Sequence, residues 1–497
     1  MNLATIIDEH PAAAAALMSR QRETTYGELR DQVARLRGGL AGLGLEPGDR
    51  VGIICANNWY FVASYLAVLS GGLVAVPLNP QSPAAELTAE LAAVGARAVI
   101  VGPAGASAFA QVDRAGLVDL EQVVTTSGSA IDGALDFDEL VAADPTPVID
   151  REPDDLAVLV FTSGTAGAPK AAMLTHGSLL ANLDQTQRHP GRAMTSDDVS
   201  FGVLPLFHIF GLNVVLGLTL RAGARVVLVE RFDPASALET IAERGVTVVA
   251  GAPPMWTAWL GLPDADPEAF SSVRLAVSGA ARLPEDVAQA FERRFGVQLS
   301  EGYGLTEASP VVTSSAGDEP RYGSIGRPVP DLEVRLVDDD GEDALVGDTG
   351  EIWLRGPNIF AGYWEDPEAT AAVLTPDGWL RTGDVAVADG DGYLYLVNRA
   401  KDVIIVSGFN VFPGEVEEVL MAHAGVKEAA VVGVAHPHTG EAVKAFVVVE
   451  AGQSFEEDLL IDFCADRLAR YKCPSKVTFV DELPRGQGGK VLRRALR

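Results

Sequence analysis

Short apolar runs recur along the first 320 residues and alternate with stretches whose apolar residues have helical spacing. The runs are rich in Val, Ile and Leu and lie at 51–56, 98–102, 156–161, 224–229, 246–251 and 273–279. Strands that are apolar on both sides are buried on both faces, which is typical of a parallel sheet covered by helices. The pattern therefore predicts an α/β fold for this part of the chain.

The pattern changes after residue 320. Residues 332–342 and 350–356 alternate apolar and polar side chains, and 389–397 combines a turn with a strand, so an antiparallel β unit is expected. Beyond residue 400 the spacing predicts helices at 415–423 and 456–471 and strands at 429–435, 445–450 and 476–480. A smaller domain of helices and strands is therefore expected near the C-terminus.

Two uncharged stretches and the N-terminal segment bear on membrane association and compartment. Residues 51–85 and 199–220 carry no charged side chain, but Pro and Gly interrupt both, which favours buried core over a membrane span. The N-terminus lacks a basic region before an apolar run, unlike a signal peptide, and the alanines at 12–16 predict helix. Three cysteines, none in a CxxC pair, indicate reduced thiols and a cytoplasmic protein.

The charge excludes one class of partner. The chain has 68 acidic and 38 basic residues, a net charge of −30. A nucleic-acid-binding protein needs a basic face, so nucleic acid is excluded as a partner. Docking on anionic lipid by charge alone is equally disfavoured, although other peripheral membrane contact stays open.

A glycine- and hydroxyl-rich loop follows the apolar run at 156–161. Its backbone can bend until several N–H groups face one anion, and a lysine closes it, so it suits a polyphosphate. It is not a Walker loop, because Pro169 replaces the second glycine and Ala171 follows the lysine. A plain hydrophilic turn is the alternative. The residues expected to bind phosphate are Thr162, Ser163, Gly164, Thr165, Gly167 and Lys170.

This loop resembles the phosphate-loop signature of the adenylate-forming superfamily, which comprises acyl-CoA synthetases, carrier-protein-linked adenylation domains and luciferases. Further segments match the family's other motifs in order, from about Thr25 to the C-terminus: 204–211, 278–281, 301–307, 350–364 (a structural motif that includes Tyr363), 379–384, 398–402 and 484–490. The resemblance implies a large N-terminal domain (1–397) of helix-covered sheets with a β-barrel-like subdomain. It also implies a hinge (398–402) and a small, mobile α+β C-terminal domain (403–497).

The resemblance assigns roles to residues of the ATP site. Glu307 and Thr165 are the expected Mg²⁺ ligands, and Thr306 donates to the α-phosphate. Asp384 is expected to bind the ribose, and Arg399 the ribose or the phosphates. The segments expected to line the nucleotide contain Gly279, Ala280, Ala281, Glu301, Gly302 and Tyr303.

Two half-reactions follow from the same resemblance: formation of acyl-AMP, then displacement of AMP by a thiol. Lys490 is the expected catalytic lysine of the first step, bridging the carboxylate and the α-phosphate. Rotation about Lys401 would then bring Ser407, Gly408 and Phe409 to a tunnel for the thiol arm of coenzyme A. His208 would gate the acyl site; a buried core histidine is the alternative.

The segments at 304–310, 407–413 and 440–444 look most like bacterial long-chain fatty acyl-CoA synthetases. Residues 205–216 and 250–260 are expected to surround the acid, and Met255, Trp256 and Trp259 make that region apolar. The predicted activity is therefore that of a fatty acid–CoA ligase (AMP-forming), acting on a medium- or long-chain acid. An aryl- or cinnamoyl-CoA ligase, a fatty acyl-AMP ligase that loads a carrier protein, and a non-catalytic binding protein are the alternatives.

Overall fold

The computed structural model covers residues 1–497 and divides into two compact units. Unit 1 comprises Met1–Glu333 and Arg355–Trp379, and unit 2 comprises Val334–Leu354 and Leu380–Arg497. Only the backbone is described for 398, 399, 405, 409, 410, 440 and 494. The structure describes all other residues except 20–21, 127–130, 163–169, 192, 339, 400–403, 407–408, 412, 437–439, 451, 454–455, 469–471, 486–490 and 497.

The described strands are, in chain order, β1 (Ala15–Met18), β2 (Glu23–Thr25), β3 (Arg50–Ile54), β4 (Val74–Pro77), β5 (Ala98–Val101), β6 (Gln122–Thr125), β7 (Leu135–Asp136), β8 (Leu156–Thr162), β9 (Lys170–Thr175), β10 (Val199–Gly202), β11 (Arg225–Leu228), β12 (Val248–Gly251), β13 (Leu275–Ser278), β14 (Leu299–Gly304), β15 (Val311–Ser314), β16 (Arg327–Pro328), β17 (Glu333–Val337), β18 (Thr349–Arg355), β19 (Leu380–Ala388), β20 (Leu394–Arg399), β21 (Ile404–Val406), β22 (Phe409–Val411), β23 (Val426–His436), β24 (Gly440–Val449) and β25 (Lys476–Phe479).

The described α-helices are α1 (Tyr26–Gly42), α2 (Trp59–Ser70), α3 (Ala84–Ala93), α4 (Ala106–Phe109), α5 (Phe137–Val141), α6 (His176–Arg188), α7 (Leu218–Arg221), α8 (Pro234–Arg244), α9 (Pro253–Leu260), α10 (Glu285–Phe295), α11 (Pro367–Val373), α12 (Pro413–Met421) and α13 (Glu457–Ala465). A π-helix spans Phe210–Gly217. Short 3₁₀ helices lie at Leu3–Ile7, Arg114–Gly116, Pro267–Phe270, Thr306–Ala308 and Arg493–Ala495.

Unit 1 contains two sheets. The first has seven strands in the order β7-β6-β5-β3-β4-β8-β9, and every pair is parallel except β8 with β9. The second has nine strands in the order β16-β15-β14-β13-β12-β10-β11-β1-β2. It is parallel from β14 to β1 and antiparallel at both edges. The helix-covered parallel sheets predicted from the apolar runs are confirmed.

The N-terminal segment corrects one prediction. The alanines at 12–16 were expected to form helix, but Ala15–Met18 is the strand β1. Its residues Ala16 and Leu17 are buried, and it pairs with β11 on one side and β2 on the other. Two ladders of hydrogen bonds and burial outweigh the helix propensity of alanine, which is the highest among the amino acids but is readily overridden by tertiary contacts.

Both long uncharged stretches are core. Residues 51–85 contain β3, α2 and β4, as predicted, and α2 is buried along most of its length. Residues 199–220 contain β10, the π-helix and most of α7. Throughout the described part of the chain, every helix is too short or too polar to cross a bilayer.

Unit 2 contains two further sheets. The strands β17-β18-β19-β20 form a four-stranded sheet, in the stretch where antiparallel strands and a barrel-like subdomain were expected. The second sheet has the order β22-β21-β24-β23 with β25 beside β24, and α12 and α13 pack against it over an apolar core. The helix predicted at 456–471 begins at Glu457 and ends at Ala465.

Candidate active site

The strands β8 and β9 carry the two ends of the glycine-rich loop. They pair antiparallel, with Thr162 opposite Lys170, and the Thr162 hydroxyl donates to the Lys170 carbonyl oxygen over 3.4 Å. The loop therefore joins two paired strands, as the sequence predicted. Residues 163–169 lie outside the described part of the chain, and with them the expected phosphate ligands Ser163, Gly164, Thr165 and Gly167.

The segment 360–364 lies beside β9 like an additional short strand. Ala361 N–H donates to the Met173 carbonyl oxygen, and Met173 N–H donates to the Gly362 carbonyl oxygen, both over 2.9 Å. Trp364 N–H donates to the Ala171 carbonyl oxygen over 2.8 Å. These bonds place the side chain of Tyr363 beside Lys170, the residue at which the chain leaves the glycine-rich loop.

That residue, Tyr363, connects two predicted site residues. Its hydroxyl donates to Oε1 of Glu307 over 2.6 Å, and Nζ of Lys170 lies 5.3 Å from the centre of its ring. Lys170 also lies 3.6 Å from a carboxylate oxygen of Asp366. Burial and the neighbouring Glu307 carboxylate raise the pKa of Tyr363, so the hydroxyl stays a hydrogen-bond donor. The sequence placed Tyr363 in a structural motif and did not predict this role.

The carboxyl ends of the parallel strands β12, β13 and β14 form an edge with small side chains. A Cβ at Gly279, after β13, would lie 2.9 Å from the ring of Phe210 and 3.7 Å from the Gly302 carbonyl oxygen. Ala280 and Ala281 follow and are exposed, and Ala280 has a left-handed φ of 68°. In open α/β sheets, ligands bind at this end of the strands, so the predicted nucleotide-lining residues lie where that rule expects them.

Glu301 on β14 is a buried acidic residue. Its side chain is 6% exposed, and Oε1 accepts a hydrogen bond from Leu283 N–H over 3.1 Å. Burial raises the pKa of Glu301 to about 7, against the opposing effects of Leu283 N–H and Arg282. The hydrogen bond from Leu283 N–H to this carboxylate therefore holds the loop that follows Ala281 in place. Gly302 and Tyr303 continue β14 and pair with β15.

Thr306 and Glu307 form the short helix that follows β14, and both are partly exposed. Among the described residues, Thr306 Oγ1 and Glu307 Oε2 have no hydrogen-bond partner, while Glu307 Oε1 accepts from Tyr363. A carboxylate oxygen such as Glu307 Oε2 suits Mg²⁺. The described ligand, Glu307, therefore fits the predicted metal, while the second predicted ligand, Thr165, lies outside the described residues.

His208 is exposed and lies between β10 and the π-helix. Its Nδ1 accepts a hydrogen bond from Phe210 N–H over 3.2 Å, so it is not the buried core histidine of the alternative interpretation. The geometry fixes the ring beside Phe210, which in turn covers Gly279.

The aromatic residues expected near the acid are core residues. Trp256 and Trp259 of α9 are fully buried and pack against Phe270 and Phe291. A small cavity of about 20 Å³ lies between the π-helix and the sheet. It is lined by Met194, Ser200, Val214, Val215, Leu218, Val248, Ala250, Leu275 and Val277.

In unit 2, Asp384 and Arg399 lie opposite each other on the antiparallel strands β19 and β20. Asp384 is buried, and its N–H donates to Oγ1 of Thr382 over 3.1 Å. The preceding Gly383 N–H donates to Glu351 Oε1 over 2.8 Å. The two residues expected at the ribose are therefore cross-strand neighbours, in a turn braced by the Glu351 carboxylate.

The ends of the loop that contains Lys490 are also paired. Arg485 and Val491 form an antiparallel bridge, and Leu492 N–H donates to the Pro484 carbonyl oxygen over 2.7 Å. Lys490 itself lies outside the described residues, as do Lys401 of the hinge and Ser407 and Gly408 of the expected thiol tunnel. Phe409 is described by its backbone alone, which pairs with Val406. The roles of these residues stay predictions.

The comparisons with known proteins agree with this arrangement. The sequence matches the family model described as AMP-binding enzyme over residues 3–364, and the AMP-binding enzyme C-terminal domain over 415–490. A long-chain-fatty-acid–CoA ligase of Yersinia pestis is 38% identical over 494 residues (92% of this chain, 86% of the relative). A feruloyl-CoA synthase of an Amycolatopsis species is 39% identical over 475 residues (95% and 93%).

A similar solved structure is ATP-bound MatB from Rhodopseudomonas palustris. It has a TM-score of 0.91 and 33% identity, over 100% of this chain and 98% of that one. The two family matches and these relatives define the class of protein as an adenylate-forming enzyme. The chain belongs to the AMP-binding enzyme family. The predicted superfamily and fold are confirmed, and the comparisons support an AMP-forming acyl-CoA ligase that uses a small carboxylic acid, ATP and CoA.

Proposed function

We propose that this protein is a fatty acid–CoA ligase. It activates a medium- or long-chain fatty acid as acyl-AMP with release of pyrophosphate, and then transfers the acyl group to the thiol of CoA. The observation that carries this proposal is the linked position of Lys170, Tyr363 and Glu307. It provides a cation for a polyphosphate and a carboxylate for the metal that accompanies it, beside a strand edge with small side chains.

The first step places a carboxylate anion against an α-phosphate, so negative charge must be offset. Lys170 lies at the exit of the phosphate loop and supplies one positive charge. Thr306 has a hydroxyl that can donate to a phosphate oxygen. A bound Mg²⁺ would withdraw charge from the phosphates, and Glu307, with Thr165, would hold it. Lys490 is proposed to bridge the acid and the α-phosphate.

The second step needs the same site in a second arrangement. Lys401 is proposed as the hinge residue, and Ser407, Gly408 and Phe409 as the wall of a tunnel for the pantetheine arm. Displacement forms the thioester C–S bond and breaks the bond between the acyl carbon and AMP. Negative charge then accumulates on AMP, where Asp384 and Arg399 are proposed to hold the ribose side of the nucleotide.

The acid is proposed to enter between the π-helix and the sheet. Every side chain that lines the cavity there is apolar except Ser200. The cavity therefore offers no charged group to pair with a second carboxylate on the substrate. Because the cavity measures about 20 Å³, an acyl chain needs the lining to move, and we propose that Phe210, whose ring covers Gly279, moves with it. His208 binds the N–H of Phe210 and is proposed to influence that movement.

An aryl- or cinnamoyl-CoA ligase is the second candidate, and the feruloyl-CoA synthase relative favours it. A flat ring could occupy the same apolar space with less rearrangement than a long chain. A fatty acyl-AMP ligase that delivers to a carrier protein differs only in the acceptor.

Measurement of AMP release and thioester formation separates these candidates. The panel contains saturated acids of increasing length, benzoate, cinnamate and ferulate, each with free CoA and with a phosphopantetheinylated carrier protein. We expect turnover with fatty acids and free CoA. Selective turnover of ferulate or cinnamate would establish the second candidate, and turnover with the carrier alone would establish the third.

A further inference from the structure

Tyr363 lies between Glu307, the proposed metal ligand, and Lys170, at the end of the phosphate loop. It follows Gly362 in the segment that pairs with β9, and its backbone forms an isolated bridge with Ala172. The preceding Phe360 N–H donates to the Glu307 carbonyl oxygen over 2.9 Å. One short segment is therefore bonded both to the strand that leaves the phosphate loop and to the helix that carries Glu307.

The side chain of Tyr363 also contacts both Glu307 and Lys170. Its hydroxyl binds Glu307 Oε1 over 2.6 Å, and its ring lies 5.3 Å from Nζ of Lys170. The Tyr363 N–H donates to Thr370 Oγ1 over 2.9 Å, and the ring packs edge-on against Phe360 with centres 5.0 Å apart. Backbone and ring are thus both held, so the hydroxyl has a fixed position.

A carboxylate that binds a metal needs a defined orientation, and the groups bonded to it provide that orientation. A free Glu307 side chain would sample several rotamers, and each would place its oxygens differently. The hydrogen bond to Oε1 selects one of them and leaves Oε2 without a partner among the described residues.

We propose that Tyr363 is a positioning residue for the nucleotide–metal complex, in which the hydroxyl orients the Glu307 carboxylate and the ring holds Lys170 beside it. This inference rests on the proposed function, because it takes Glu307 as the metal ligand. It assigns a specific task to a residue that the sequence motif indicated only as structural.

The test measures binding rather than turnover. Calorimetry gives the dissociation constant of α,β-methylene-ATP, which cannot be cleaved at the reacting bond, once with Mn²⁺ and once with EDTA. The ratio of the two constants is the contribution of the metal. In Tyr363→Phe the ring stays beside Lys170 and only the hydroxyl is lost, so the metal-free constant should stay unchanged. The metal contribution should fall roughly tenfold, as for other residues bonded to metal ligands.

Two further variants complete the test. In Glu307→Gln the metal contribution should be lost, and adding Tyr363→Phe to that variant should have no further effect. In Tyr363→Leu the metal-free constant should also weaken, roughly two- to fivefold, because the ring beside Lys170 is gone. Tyr395→Phe is the matched control, since it removes a similar bond, from the hydroxyl to Asp389 over 3.2 Å, in the other unit.

The outcomes separate the two claims. If Glu307→Gln keeps the full metal contribution, Glu307 is not the metal ligand, and the proposed metal site fails together with this inference. If Glu307→Gln loses the contribution but Tyr363→Phe keeps it, the metal site stands and the positioning role of Tyr363 is wrong. An equal weakening with Mn²⁺ and with EDTA in Tyr363→Phe would also overturn it, because a general loss of structure affects both constants.

Discussion

The buried carboxyl of Glu301 predicts that the stability of unit 1 depends on pH. Glu301 is 6% exposed, and burial raises its pKa from 4.5 to about 7. Because the folded pKa is higher than the unfolded one, the stabilisation is complete below pH 4.5 and is lost as the pH rises through 7. Glu301→Gln is neutral at every pH and can still accept the hydrogen bond from Leu283 N–H, so it should remove this loss.

The magnitude follows from the difference between the two pKa values. Each pKa unit corresponds to about 1.4 kcal/mol, so the full loss is about 3 to 4 kcal/mol, of which about 2 to 3 kcal/mol falls between pH 5 and 8. Relative to the variant, the wild-type protein should therefore lose about 2 to 3 kcal/mol of unfolding free energy over this range.

The assay is urea unfolding at half-unit steps from pH 5 to 8.5, followed by tryptophan fluorescence. Trp256 and Trp259 are fully buried in unit 1 and report its unfolding. Glu239→Gln, at an exposed position of α8, is the control for an acidic side chain lost at the surface. If Glu301→Gln and the wild-type protein show parallel pH profiles, the buried carboxyl does not control this stability and the reasoning is wrong.

Three further predictions address other parts of the chain. Burial lowers the pKa of His176 from 6.5 to about 4. The free energy of unfolding in urea should therefore fall by up to about 3 kcal/mol as the pH drops from 6.5 to 4, and His176→Gln should lack this loss. Gly326→Ala should abolish soluble expression, because its Cβ would lie 1.9 Å from a backbone carbon of β15. Gly245→Ala, with a similar left-handed φ but open space around it, should cost only about 1 kcal/mol in thermal unfolding. Lys490→Ala should abolish acyl-AMP formation but spare thioester formation from supplied acyl-AMP; equal loss of both half-reactions would contradict its assignment.

The local pattern of the sequence was enough to predict most of the fold. Near-continuous Val, Ile and Leu runs became buried strands, and the loop at 163–169 joins two paired strands as expected. The pattern did not show that the strands divide into two sheets, because strand order depends on contacts between distant residues. It also failed at β1, where pairing on both sides outweighed the helix preference of alanine.

The sequence motifs indicated single residues of the candidate site but not the contacts between them. The sequence indicated Glu307 and Lys170 separately, but not the tyrosine between them, since that contact depends on how 360–364 aligns with β9. Composition alone could not assign Trp256 and Trp259 to a ligand pocket or to the core. Apolar aromatic residues suit either a ligand pocket or a core, and only packing against Phe270 and Phe291 distinguishes the two.

The central claim is that this chain joins an apolar carboxylic acid to CoA through an acyl-AMP. The most direct measurement is the release of AMP from ATP with CoA across the panel of fatty and aromatic acids, with the thioester quantified in the same reactions. If this claim is correct, AMP forms only when acid is present and in equal amount to acyl-CoA, with a preference for fatty acids. Absence of acid-dependent AMP release with every acid and acceptor would contradict it.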